Sequence, residues 1–60
     1  MTFREMENII RKDGWYLSTV HGSHHHYRHP TKQGKVTIPK HSGDLNCKVV
    51  NSILKQAGLK

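Results

Sequence analysis

Residues Gly22-Ser23-His24-His25-His26-Tyr27 put three consecutive imidazoles directly behind a turn-forming pair. The chain around them has 60 residues and a net charge of +6 with neutral histidines, and from Val20 to Lys40 it carries Arg28, Lys32, Lys35 and Lys40 but no acid. Histidine, with an ordinary pKa of roughly 6.5, gives or takes a proton near neutrality, and a basic surface attracts a phosphate backbone. The chemistry these two features share is cleavage of RNA. A base that removes the 2′-hydroxyl proton lets that oxygen attack the neighbouring phosphorus, without metal or cofactor. General acid–base help of this kind is worth roughly 10²–10⁴-fold.

Side chains repeat with period two along a strand, so His24, His26 and Arg28 share one face, and His25 and Tyr27 share the other. His24 follows a glycine turn that exposes it at the sheet edge, where a backbone can approach. Besides His24, the groups that could transfer a proton are His26, His41, Tyr27 and Ser23, and the sequence leaves the choice open. His25 is expected to pack beside Tyr27, and His21, His29 and His41 read as surface or turn residues. Two histidines at i and i+2 can also hold zinc or nickel. A structural zinc site usually wants four ligands, often several of them cysteines, and Cys47 is the only thiol. No metal is expected.

The elements that position these groups follow from local signals. Thr2-Phe3-Arg4-Glu5 fits a capping box, and Phe3, Met6, Ile9 and Ile10 keep helical spacing up to Asp13-Gly14. Trp15 to Val20 has strand composition, with Trp15 and Leu17 on one face and Tyr16 and Ser18 on the other. His21-Gly22-Ser23 is a hairpin turn, His24 to His29 a second strand, and Lys35 to Ile38 a third that Pro39 closes. In the last helix Val49, Val50, Ile53, Leu54 and Ala57 form the apolar stripe. Asp44 or Asn46 caps its start, and Gly58 with Leu59 makes a Schellman-type end. The expected fold is α+β in the order α-β-β-β-α: a three-stranded antiparallel sheet with two helices on one face and the other face wet.

One domain, residues 1–60, fits this length. A chain of this size buries only about 60% of its unfolded surface, so there is no room for a nucleotide fold or a long lid. One cysteine excludes an internal disulfide framework and suits a reducing compartment. No apolar h-region and no run near the roughly 20 residues needed to span a bilayer are visible, so a soluble cytoplasmic protein is expected.

The chain resembles the HicA family of bacterial toxins over nearly its whole length. The resemblance lies in Gly14-Trp15, Gly22-Ser23-His24-His25 with Tyr27, Val36-Thr37-Ile38-Pro39 followed by His41, and Ile53-Leu54-Lys55-Gln56-Ala57-Gly58-Leu59. Members often carry Gly-Thr-Leu near the start of the second helix, where this chain has Lys48-Val49-Val50. The resemblance implies a double-stranded-RNA-binding-like fold, cleavage of messenger RNA, and a HicB-type antitoxin. It also implies that the first histidine after Gly-Ser, His24 here, is the catalytic proton-transfer residue, either as base or as acid to the leaving 5′-oxygen, with a second partner left open. The toxin alone is expected to be monomeric, forming a larger complex with its antitoxin. Arg28, Lys32, Lys35, Lys40 and Lys48 are candidate phosphate contacts, with the backbone and 2′-hydroxyls as their targets. Two other classes share these features: a non-catalytic double-stranded-RNA-binding module, and an interaction protein that only binds its partner.

Overall fold

Thr2 starts the first helix as its composition suggests. Its hydroxyl accepts from the Glu5 amide at 3.2 Å, and the Glu5 carboxylate accepts from the Thr2 amide at 2.9 Å. The computed structural model describes residues 1–40 and 42–60. In chain order it holds α1 (Phe3–Lys12), β1 (Tyr16–His21), β2 (His24–Arg28), β3 (Val36–Pro39) and α2 (Cys47–Gln56). The architecture is α+β in the order α-β-β-β-α.

Both helices end alike. Gly14 adopts φ +110°, which lets its amide donate to the Arg11 carbonyl at 3.0 Å and the Trp15 amide donate to the Ile10 carbonyl at 3.1 Å. This pair of bonds is the Schellman closure. Gly58 and Leu59 repeat it on the carbonyls of Lys55 and Leu54, at 3.1 and 2.9 Å. Asn46, not Asp44, caps α2: its Oδ1 accepts from the Val49 amide at 2.9 Å. The helix therefore starts normally through Lys48-Val49-Val50.

The sheet is antiparallel throughout, in the order β1-β2-β3. His21 stands opposite His24, so the hairpin turn is only Gly22-Ser23, and His21 belongs to the strand rather than to the turn expected from sequence. Gly22 has φ +59° and Ser23 is not in the positive region. Positive φ at the first central residue alone is the pattern of a type II′ turn, whose twist matches that of the strands.

Tyr27 on β2 and Val36 and Ile38 on β3 form the buried sheet face. Met6 and Ile10 of α1, Ile53 and Ala57 at the end of α2, and Trp15 and Leu45 close the core over it. Both helices thus cover one face, where burial of large side chains contributes roughly 1.5–3 kcal/mol each. In β1 Tyr16 and Leu17 point to opposite faces as expected, opposite Arg28 and Tyr27, but the alternation breaks at Ser18. An irregularity between Leu17 and Thr19 inserts Ser18 as an extra residue, and a bulge of this kind shifts the alternation. Leu17 and Val20 fall opposite Tyr27 and His25, yet they stay 39% and 49% exposed. The main helix–sheet contacts are to β3 at the other edge, and Leu17 borders an open cleft beside Phe3, Arg4 and Glu7 of α1. At β3, the Thr37 amide donates to Gln56 Oε1 at 3.1 Å, closing that edge with α2.

Candidate active site on the open sheet face

The register sorts the hairpin into cross-strand rows. His21, His24 and Pro39 form the row nearest the turn, Thr19, His26 and Thr37 the next, and Tyr16 with Arg28 the last. Directly opposed residues share a face. All three rows lie opposite the face that carries Tyr27, Val36 and Ile38, so the face without helices presents three imidazoles, a guanidinium and hydroxyls. The four acids of the chain are Glu5, Glu7, Asp13 and Asp44, and none lies in a strand.

His24 is exposed at the hairpin end. Ser23, beside it, accepts from the Lys40 amide at 2.7 Å, which extends the β2–β3 ladder to the turn. His21 and His26 pack edge to face, with ring centroids 5.5 Å apart. His26 is half-buried, and its Nδ1 lies 2.9 Å from Thr37 Oγ1. Partial burial lowers the His26 pKa below the ordinary imidazole value, and the positive charges of Lys35, His21, His24 and Arg28 lower it further. His26 therefore favours its neutral form near neutrality.

The other imidazoles do different work. His25 faces the helix side and packs edge-on against Phe3, with ring centroids 5.0 Å apart. It borders a cleft of about 460 Å³ with Phe3, Arg4, Glu7, Lys40 and Asp44. His29, read from sequence as a surface or turn residue, is a packed structural residue. Its Nε2 contacts the Asp13 carbonyl at 2.6 Å, its Nδ1 accepts from the Thr31 and Lys32 amides at 3.1 Å each, and its ring edge meets Trp15. His41 lies outside the described residues.

Tyr27 does not join the open face. Its phenol is buried and donates to Glu7 Oε2 at 2.6 Å. Burial raises its pKa far above the ordinary tyrosine value, and the hydrogen bond to the Glu7 carboxylate and its charge add to this. It is not available as an acid or base near neutrality.

The expected phosphate contacts separate into three groups. Arg28 shares the open face and donates to the Gly34 carbonyl at 3.1 Å, and Lys35 is close enough to His26 to lower its pKa. Lys40 and Lys48 lie at the rim: Lys40 follows β3 with its ammonium 5.9 Å from the Phe3 ring centroid, and Lys48 borders a shallow groove with Thr37 and Pro39. Lys32 is drawn to the far end of the hairpin, where its ammonium donates to Asp13 Oδ2 at 2.5 Å and to the Ala57 carbonyl at 3.0 Å. Two contacts were not read from sequence, Thr37 on His26 and Asp13 on His29. Both join residues more than ten positions apart, and the only sequence signal for the first was the alternation of β2 against β3.

Among the described residues no group of three or more His, Cys, Asp or Glu side chains is placed to hold a metal ion. None of their helices is long and apolar enough to cross a membrane.

Fold and site together define a class: a small basic α+β protein with an acid-free, imidazole-bearing sheet face. A family model described as HicA toxin of bacterial toxin-antitoxin matches residues 3–59, and the chain belongs to that family. It is accordingly a toxin of the toxin–antitoxin type. A search of curated proteins returned no match.

Proposed function

We propose that residues 1–60 act as one toxin domain, a metal-independent endoribonuclease that cleaves messenger RNA with His24 in proton transfer. The observation that carries this reading is the exposure of His24 on a sheet face that holds cations, imidazoles and hydroxyls but no carboxylate. A phosphodiester approaching this face meets positive potential, and Arg28 and Lys35 are placed to stabilise the charge that develops on the phosphoryl oxygens. Lys40 and Lys48 extend the cationic track around the rim. Lys32 is committed to Asp13 and Ala57 and contributes to the fold instead.

A messenger-cleaving toxin needs restraint, and family membership supports an antitoxin of the HicB type. An acidic patch on that partner would match this face and speed association. Inhibition is direct, by covering His24; a toxin–antitoxin complex that leaves His24 open to RNA would contradict this.

The test is end-group analysis of single-stranded RNA incubated with the purified protein in EDTA. Attack by the 2′-oxygen leaves 2′,3′-cyclic phosphate and 5′-hydroxyl ends, and 2′-deoxy substitution at the scissile nucleotide blocks cleavage. A requirement for divalent metal, or 5′-phosphate ends, would contradict the mechanism. Tight RNA binding without cleavage would instead select a binding module.

A further inference from the structure

His26 is the open-face imidazole with an anchored hydrogen bond behind it. Its Cα pairs with Thr37 across the β2–β3 ladder, and its Nδ1 lies 2.9 Å from Thr37 Oγ1. Thr37 is held in turn, because its amide donates to Gln56 Oε1 at 3.1 Å while Gln56 Nε2 donates to Ser52 Oγ at 3.2 Å. The ring is thus tied through two side chains to the last turn of α2. When Nδ1–H donates to Oγ1, the lone pair resides on Nε2, which makes no hydrogen bond to a described residue.

Resting on the ribonuclease reading above, we propose that His26 is the general base of RNA cleavage, with Thr37 as its positioning residue and His24 as the acid. The substrate class is a phosphodiester with a free 2′-hydroxyl. His26 Nε2 takes the 2′-hydroxyl proton as the 2′-oxygen bonds to phosphorus. The bond from phosphorus to the 5′-oxygen then breaks, and that oxygen leaves with a proton from His24. One proton enters the site and one leaves it, and the products are a 2′,3′-cyclic phosphate and a 5′-hydroxyl. His26 is then protonated and His24 is not, and proton exchange with water returns both to their starting forms.

The two imidazoles sit in different surroundings. His26 is half-buried and faces His21 from β1, His24 and Arg28 from its own strand, and Lys35 from the segment before β3. Every one of these groups is cationic or can become so, which favours a neutral base ready to accept a proton. His24 is exposed at the turn, where a leaving oxygen can reach it. Of the other described candidates, Tyr27 faces the core and is bound to Glu7, and a serine hydroxyl such as that of Ser23 does not titrate near neutrality; His41 lies outside the described residues.

The experiment is a pH–rate profile for cleavage of a single-stranded RNA oligonucleotide in EDTA. It compares wild type with His24→Ala, His26→Ala, His26→Gln, Thr37→Val and Thr37→Ser, each checked for folding by circular dichroism. His26→Ala and His26→Gln are expected to lower kcat by roughly 100-fold or more, with RNA affinity within a few-fold of wild type and the acid-side rise of the profile abolished. Thr37→Val is expected to lower kcat by roughly tenfold and shift that limb, because a misplaced base loses rate steeply. Thr37→Ser should restore both. If His24→Ala is inactive while both folded His26 variants keep the wild-type rate and acid limb, His26 is not the base and the ribonuclease reading stands. If wild type leaves the RNA intact, both proposals fall together.

Discussion

His29 Nε2 donates to the Asp13 carbonyl at 2.6 Å, tying the end of β2 to the end of α1. The Thr31 and Lys32 amides both donate to Nδ1, so the hydrogen bonds fix the tautomer with its proton on Nε2. The ring lies so close to Gly14 that a Cβ there would sit 2.6 Å from Nε2.

Removing the ring leaves these amides and the carbonyl without partners. His29→Ala is expected to cost about 1–3 kcal/mol, the usual penalty for orphaned polar groups. Gly14→Ala should cost about as much, because it combines a disfavoured positive φ with displacement of the imidazole. Urea denaturation reads both. An unchanged midpoint in either variant would show that this contact does not hold the fold.

Asp13 gives the fold a specific acid sensitivity. The Lys32 ammonium bonded to its carboxylate holds the Asp13 pKa below the ordinary range, with Trp15 and His29 acting in the same direction. A depressed folded-state pKa contributes stability above the unfolded value of about 3.9, and that contribution is lost as pH falls through the folded value. Urea midpoints measured from neutral pH downward should therefore fall less steeply below about pH 4 in Asp13→Asn than in wild type. Parallel curves would remove Asp13 from the acid response.

Lys32→Met should lower the urea midpoint at neutral pH, because both Asp13 and the Ala57 carbonyl lose a donor. It should leave RNA affinity unchanged. Arg28→Gln and Lys35→Gln should weaken RNA binding and each reduce the salt slope by roughly 0.7 per lost phosphate contact on a single strand. Fluorescence anisotropy against salt concentration distinguishes the two behaviours. A Lys32→Met protein with the same loss of slope would place Lys32 on the RNA.

Gly22 tests the turn that presents His24. A methyl group added there meets no atom within 4 Å, so Gly22→Ala acts through the backbone alone. Holding an L-residue at positive φ costs roughly 1–2 kcal/mol. The expected result is a modest loss of stability with a larger loss of cleavage, as His24 shifts with the hairpin end. Equal activity at equal protein would mean that His24 does not depend on the tight turn.

What the sequence made legible was local. The Thr2–Glu5 capping box and the Gly58-Leu59 closure involve residues a few positions apart, and the period-two rule alone separates His24 and His26 from His25. What stayed hidden depends on tertiary placement. His29 looks like a loop histidine until Asp13, 16 residues earlier, arrives beside it. Leu17 reads as sharing a strand face with Trp15, but Trp15 is buried while Leu17 stays exposed, and the break at Ser18 appears only in the β1–β2 register. Thr37 becomes relevant to His26 only through the β2–β3 register. The choice between Asp44 and Asn46 as helix cap turned on loop geometry that composition does not encode.

The most direct measurement compares RNA cleavage by wild-type and His24→Ala proteins in EDTA, with circular dichroism showing that both are folded. The expected result is cleavage by the wild type, with the His24→Ala rate reduced by roughly 100-fold or more. Equal cleavage by both proteins would contradict the assignment of His24, and intact RNA in both reactions would contradict the ribonuclease itself.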